Sequence, residues 1–492
     1  MSLLAKQAGI ISVADSMRLL VKTLIGFVLA RLLTQADFGT YRQLYMIYIL
    51  MSSIFMIGLP QSVFYFLPKA DEEKKKHIIT QTVDVFSILG IICALLLYLS
   101  RNQLANMFHN PLLNKALIIY AFYPFFMFLS QMYYTIMISM QQPRKAAIFV
   151  IFSLLCDISI ILMAAFWTRE LKWIISGMVL SVMLQWIYAR FSLSKWLVRG
   201  RLINIEKDLF REQLKYSLPI GIAAIVGVVS SQIDKLVISH YFKPAVFAVF
   251  SVGAAELPFI GIITNSINSV ILPAMSAKED KEGVLALYKS AVRKNAQILL
   301  PICMFCLLFA VPLIRLLYSS KYLASVTFFR IYLLTMPLRI ATYGIIFQVF
   351  NRTKYIFILA IITLLSSITL NYLFIKQLGI RGPAIATVVS VYINVLLTLI
   401  LFHYRLRISI KEIFPFEAIV RIILSASVAG LVSWLVMGLS IHYYYHLALG
   451  GLVFCLCYFG IGSLFGAILP YDRALIWNFI RNYSNRIIHY QD

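Results

Sequence analysis

The chain has 492 residues, of which 61% are hydrophobic and 13% charged, with a mean hydropathy of +0.85. A water-soluble domain has too little interior to hide that much apolar surface, so the composition excludes a soluble protein and indicates an integral membrane protein. Its 44 Lys and Arg against 20 Asp and Glu give a net charge of +24. No basic stretch is interleaved with aromatics on a solvated fold, so the excess reads as loop topology and attraction to anionic lipid, not as nucleic-acid binding.

Apolar runs between polar punctuation predict helices at about 9–33, 38–67, 78–99, 111–140, 146–167, 172–194 and 212–241, then at about 245–276, 289–318, 323–350, 355–375, 382–404, 416–438 and 447–469. The expected fold class is therefore an all-α integral membrane protein of about fourteen transmembrane helices. Arg18 and Lys22 interrupt the first apolar run and no small-residue cleavage site follows, so that run reads as a retained span, not a signal peptide. The densest charge, Lys195, Arg199, Arg201, Glu206, Lys207, Asp208, Arg211 and Glu212, falls after the sixth helix and reads as a link between two six-helix lobes. The expected domains are 1–200, 205–410, and 411–492 for an appended helix pair and an amphipathic tail.

An internal repeat supports the split. Residues 31–41 align without gaps on residues 240–250, an offset of 209 that superposes the ends of the first and seventh helices. Well over half of the Lys and Arg fall on the side of the two termini, which the positive-inside rule makes cytoplasmic.

Catalytic chemistry finds little to build on. The seven histidines lie at helix ends or in loops without metal spacing, and His442-Tyr-Tyr-Tyr-His446 reads as an interfacial aromatic belt. Cys303-Met-Phe-Cys306 has redox-pair spacing but an apolar setting, so it reads as packing. The expected outer loops are too short for a membrane polymerase. The expectation is a protein that is not an enzyme, with no cofactor and no metal.

Charges at membrane depth carry the functional signal, because each costs several kcal/mol unless it meets water, a partner or a ligand. Asp15, Arg18 and Lys22 follow i, i+3, i+7 spacing and share one face, where Asp15 can pair with Arg18 and leave a surplus cation for an anionic ligand. On the seventh helix Asp234 and Lys235 are adjacent, point about 100° apart and are not expected to serve one contact. Arg330 and Arg339, expected on one face of the tenth helix, suit phosphate because a guanidinium keeps its charge and donates two parallel hydrogen bonds. The candidate substrate-binding set is Arg18, Lys22, Lys235, Arg330 and Arg339. The candidates for coupling to an H⁺ or Na⁺ gradient are Asp15, Asp234, Glu256 and Asp157, with internal pairing as the alternative for each. Arg421 is expected to pair with Glu417 one turn away.

Three segments resemble a known family. Ala30-Arg-Leu-Leu-Thr-Gln-Ala-Asp-Phe-Gly-Thr-Tyr41 is similar to the opening of polysaccharide and O-antigen flippases of the Wzx type. Leu214-Lys-Tyr-Ser-Leu-Pro-Ile220 with Gln232-Ile-Asp-Lys-Leu-Val-Ile238 resembles their seventh-helix signature, and residues 371–387 their turn into the twelfth helix, with Pro383 in place of a small residue. The resemblance implies the multidrug, oligosaccharidyl-lipid and polysaccharide exporter superfamily, with two six-helix lobes around a central cavity that opens alternately to each side. It implies an undecaprenyl-pyrophosphate-linked oligosaccharide as substrate, membrane lipids and polysaccharide polymerase machinery as partners, and the bacterial inner membrane as location. A peptidoglycan-precursor flippase and an ion-coupled multidrug exporter are the alternatives.

Overall fold

The computed structural model describes residues 3–198, 205–255, 257–436 and 443–474. Glu256, residues 199–204 of the charged link, His442 and the tail beyond residue 474 lie outside the described residues. Within them the chain runs as successive helical crossings with no strand. The first seven are α1 (Leu3–Leu32), α2 (Gln35–Met56 and Leu59–Phe66), α3 (Glu72–Leu99), α4 (Pro111–Tyr120 and Phe122–Ser139), α5 (Pro143–Thr168), α6 (Leu171–Leu193) and α7 (Lys207–Tyr241). The others are α8 (Pro244–Gly253 and Pro258–Ser276), α9 (Lys281–Leu308), α10 (Ser325–Leu333 and Met336–Val349), α11 (Lys354–Leu378), α12 (Gly382–Leu406), α13 (Phe416–Leu435) and α14 (Tyr443–Leu464).

By length and apolarity alone, 8 helices suffice to cross a membrane, or up to 11 when each bent pair counts as one span. That count takes α11 and α12 as one stretch, Lys354–Leu406. It leaves out α1, which carries Lys6, Asp15, Arg18, Lys22 and Arg31, and α8, whose halves are short. The chain is a multi-pass helical membrane protein. The helices expected at 38–67, 111–140, 245–276 and 323–350 are each broken in two, and the one expected at 289–318 is split as well: α9 stops at Leu308 and a separate helix covers Ala310–Tyr318. Pro312 explains the stop, since it has no N–H for the Leu308 carbonyl and its ring would strike that group.

By contact density the chain forms two compact units, Met1–Pro258 with Ala360–Thr387, and Phe259–Leu359 with Val388–Asp492. The grouping places α7 with the first six helices, whereas the charged link suggests a lobe beginning at residue 205.

In the first unit the repeat is visible as geometry. α1 ends at Leu32 and α7 at Tyr241, while the helices that follow begin at Gln35 and Pro244, each pair 209 residues apart. The two corners pack on each other, with Gly39 directly against the Pro244 backbone. Buried amides lock the contact: Asn110 donates to Thr40 Oγ1 (2.9 Å) and Gln43 Oε1 (2.6 Å), and Gln43 donates to Ser239 Oγ (2.7 Å). Such groups are taken out of water without loss only because each finds a partner. At the opposite end of α7, Gln81 of α3 donates to Gln213 Oε1 at 2.7 Å and accepts from the Glu206 backbone N–H at 2.8 Å.

α2 bends by 48° where it crosses α7. Ile57 and Gly58 sit in the left-handed region, at φ 40° and 67°. That conformation is a true outlier for a β-branched residue and persists only where the surroundings impose it. The cause is the backbone of α7, since a Cβ on Gly221 would lie 2.4 Å from the Ile57 carbonyl carbon and one on Gly58 2.6 Å from the Ser217 carbonyl oxygen. Gly227, on the same helix, has nothing within 4 Å of such a Cβ. Gly221→Ala is therefore expected to lower the thermal midpoint of the detergent-solubilised protein, by about 1–3 kcal/mol of overpacking. Gly227→Ala is expected to leave it unchanged or raise it, and equal effects of the two would exclude the backbone crossing as the reason for the bend.

In the second unit α9 is tied to the end of α14. Gln297 donates to the Ala467 carbonyl (2.7 Å) and to Asp472 (3.2 Å), Tyr458 donates to the Gln297 carbonyl (3.0 Å), and Lys294 pairs with Asp472. Partial burial pushes the Asp472 carboxyl up, but the hydrogen bond and charge of Lys294, with help from Gln297 and the Leu469 backbone, outweigh it and hold it below the usual value. A lowered folded-state value gives stability that is present above the unfolded value of about 3.9 and lost as pH falls through the folded one. The difference in thermal midpoint between wild type and Asp472→Asn is thus expected to be largest near pH 7 and to shrink towards pH 3. A pH-independent difference would exclude the ion pair as its source.

Candidate functional site

α1 presents three faces, as about 100° per residue requires. Val13, Met17, Leu20 and Leu24 are exposed along one. Ala14 and Val21 pack on the second, against Val150 and Leu154 of α5 and Tyr134 of α4. The third carries Asp15, Arg18 and Lys22. Apolar contact with α5 therefore fixes the rotation of α1, and the rotation aims the charges at α4 and α5.

The expected Asp15–Arg18 pair forms through an intermediary. The Tyr134 hydroxyl donates to Asp15 Oδ1 at 2.8 Å, and the Arg18 guanidinium lies 4.8 Å from the centre of the same ring. The aromatic face takes the cation and its hydroxyl takes the anion, so one residue serves both charges. Asp157 is partly buried, and the positive charges of Lys22 and Arg18 both act on its carboxylate. It stands at the start of a π-helical turn, Asp157–Ile161, a local widening that is uncommon and recurs at functional sites. Ser181 and Gln185 of α6 donate to Asp157 Oδ1 at 2.6 and 3.1 Å, and Gln185 also donates to Ser181 Oγ at 3.2 Å.

Four helices thus converge on two carboxylates and two cations, with hydroxyl and amide donors fixing one carboxylate. The arrangement can exchange partners: an anionic ligand can draw Lys22 and Arg18 away from the acids, and a proton or a small cation can replace them. Sequence reading singles out the four charges but not Tyr134, Ser181 or Gln185. The last two carry a faint signal, polar residues at i and i+4 in an apolar helix, whereas Tyr134 is one of 28 tyrosines and carries none.

The Lys235 ammonium curls back to 3.7 Å from Asp234 Oδ1, correcting the expectation that adjacent residues serve separate contacts. A four-carbon stem spans the divergence that the backbone imposes. Arg330 and Arg339 belong to the second unit, Arg330 on the first half of α10 and Arg339 in the 3₁₀ turn Met336–Ile340. They do not share a helix face as expected. Nine residues make about two and a half turns, which sets residues on opposite sides, and a 40° bend separates the halves. The carbonyls around that break are met by side chains: Asn295 donates to Ile340, Cys303 to Leu333 and Tyr392 to Leu334. Cys303 and Cys306 are buried free thiols, in keeping with a packing role, and Arg421 pairs with Glu417 as expected. Among the described residues no group of three or more His, Cys, Asp or Glu could hold a metal.

The described residues form a helical, multi-pass membrane architecture. Residues 28–327 match the family model described as polysaccharide biosynthesis protein, and the chain belongs to that family. No curated protein matches it. Among solved structures it is similar to the lipid II flippase MurJ in an inward closed conformation, with a TM-score of 0.75 at 19% identity over 94% of this chain and 99% of that one. It is also similar to an inward-facing multidrug resistance MATE family transporter of the MOP superfamily (0.63, 16%, 79% and 94%). A MOP superfamily transporter from Pyrococcus furiosus, described by a binding pocket of reverse polarity, matches at 0.57 and 17% over 82% and 96%. The MOP-type fold and the polysaccharide family read from residues 30–41, 214–238 and 371–387 are both borne out.

Removing the Asp157 carboxylate while keeping its shape tests the cluster. Asp157→Asn is expected to change the thermal midpoint of the detergent-solubilised protein more in the wild-type background than in a Lys22→Met background, because the charge it removes then has less to act on. Equal changes in both backgrounds would show that Lys22 and Asp157 do not act on one another.

Proposed function

We propose that the chain is a flippase that moves undecaprenyl-pyrophosphate-linked oligosaccharide repeat units from the cytoplasmic to the outer leaflet of the bacterial inner membrane, for assembly of a surface polysaccharide such as O-antigen, capsule or exopolysaccharide. The observation that carries the reading is the cationic stripe of Arg18 and Lys22, with Arg18 on the face of Tyr134 and both charges acting on Asp157, in a member of a polysaccharide biosynthesis family. A pyrophosphate has to cross a medium in which its charge is costly, and cations released from weak internal contacts lower that cost. Arg18 and Lys22 receive the pyrophosphate in this reading, and Lys235, Arg330 and Arg339 are further candidates for contact with the substrate. The polyprenyl tail stays in lipid.

Alternating access supplies the movement, with the termini on the cytoplasmic side. An inward H⁺ or Na⁺ flow resets the carrier by occupying Asp157, Asp15, Asp234 or Glu256 in the state from which substrate has left. No bond is made or broken in the cycle, so the protein acts as a carrier and not as an enzyme. Handing the repeat unit to a polymerase follows on the outer side.

Deleting the gene in its host and assaying the lipid-linked pool by mass spectrometry, with glycan accessibility in spheroplasts to assign the leaflet, tests the reading. A complete pyrophosphate-linked repeat unit should accumulate facing the cytoplasm. Re-expressed Arg18→Ala is expected to restore export about tenfold or more less well than wild type, as the loss of a charged hydrogen bond worth about 1.5–3 kcal/mol requires. Wild-type export by the Arg18→Ala, Lys22→Ala, Arg339→Ala triple variant would remove the proposal. Build-up of the peptidoglycan precursor would move the substrate to that lipid, and altered sensitivity to cationic drugs with an unchanged pool would make the chain a drug exporter.

A further inference from the structure

The end of α14 in the second unit gathers more positive charge than the protein neutralises there. Gly466, at φ 70°, turns the chain out of the helix. Two arginines from different helices reach this turn: Arg293 of α9 donates to the Gly466 carbonyl at 3.1 Å, and Arg421 of α13 brings Nη1 to 3.0 Å from where a Gly466 Cβ would stand. Lys294 is the third cation. Asp472 takes Lys294, and Glu417, its side chain 80% exposed, takes Arg421. Arg293 has no acid within ion-pair distance among the described residues, and its Nε is buried without a hydrogen-bond partner.

A guanidinium has five N–H donors in a fixed fork, and here one carbonyl uses one of them. The remaining fork suits a tetrahedral anion with several acceptor oxygens. Exposed aromatic side chains, Phe416 and Tyr471, stand at the same helix ends, as at the headgroup level of a bilayer. At that level the available anion is the phosphodiester of a phospholipid, and one with net negative charge meets the surplus cation without introducing an ammonium of its own.

We propose that Arg293 and Arg421, at the junction of α9, α13 and the turn after α14, bind the headgroup phosphate of an anionic phospholipid. The bound lipid completes the charge balance of the junction and fastens α14 to α9. The site shares no residue with the cluster on α1, and its occupancy does not depend on which molecule the protein transports.

The test uses the delipidated full chain in neutral detergent, with thermal unfolding followed as phosphatidylglycerol, phosphatidylethanolamine or inorganic phosphate is added. Phosphatidylglycerol is expected to raise the midpoint saturably, and phosphatidylethanolamine to do so far less. Arg293→Gln with Arg421→Gln should weaken the apparent affinity for phosphatidylglycerol about tenfold or more. Glu417→Gln, which leaves the fold contacts in place and frees Arg421 from its competing acid, should strengthen it, so a gain as well as a loss is predicted. Equal midpoint shifts from both lipids, or an affinity unmoved by Glu417→Gln and by the double variant, would overturn the proposal. A shift reproduced by inorganic phosphate alone would overturn the lipid assignment.

Discussion

A charge buried where water cannot follow has to meet its opposite, and the first unit is arranged around that requirement. Asp157 stands in an apolar helix, and three helices other than its own supply what it lacks: donors from α6, positive charge from α1, and Tyr134 of α4 to steady one of those cations, Arg18. The packing of α1 on α5 and the π turn in α5 make sense as the geometry that brings these parts within reach. An all-apolar α1 would pack as well; it would have nothing to exchange.

The same logic distinguishes structural charges from working ones. Lys294, Asp472 and Gln297 form a closed set with a definite lock between helices, and Asn110, Gln43 and Ser239 form another without any net charge. The stripe on α1 is open by comparison. Its cation rests on an aromatic face and its neighbours, contacts strong enough to avoid an isolated charge and weak enough to yield to phosphate.

Much of this was legible in the sequence, and the reasons are physical. Apolar runs of spanning length place most helices within a few residues, and the offset of 209 relates the ends of α1 and α7 because a repeated corner needs the same turn twice. Charges in apolar runs announce themselves in the same way. Tyr134 does not, since a tyrosine is ordinary in a membrane helix and its partners lie more than a hundred positions away. The bend at Ile57 was equally hidden: Pro60 marks the neighbourhood, but the cause is the backbone of α7 pressing on it, a long-range contact that no local pattern contains. The misassigned face of Arg339 had a simpler origin, a register count carried across two and a half turns and a break.

The crossing of α2 and α7 at Gly58 and Gly221 has a kinetic consequence. Backbone there touches backbone, so the crossing point itself adds no interlocked side chains to what holds the two helices together. The side chains that bridge α2 and α7 flank it, the Gln43–Ser239 hydrogen bond towards one end and Tyr216 stacked on Tyr65 and set against Phe66 towards the other. A joint of this kind behaves less like a packed core than like a clasp, whose opening rate is set at its flanks.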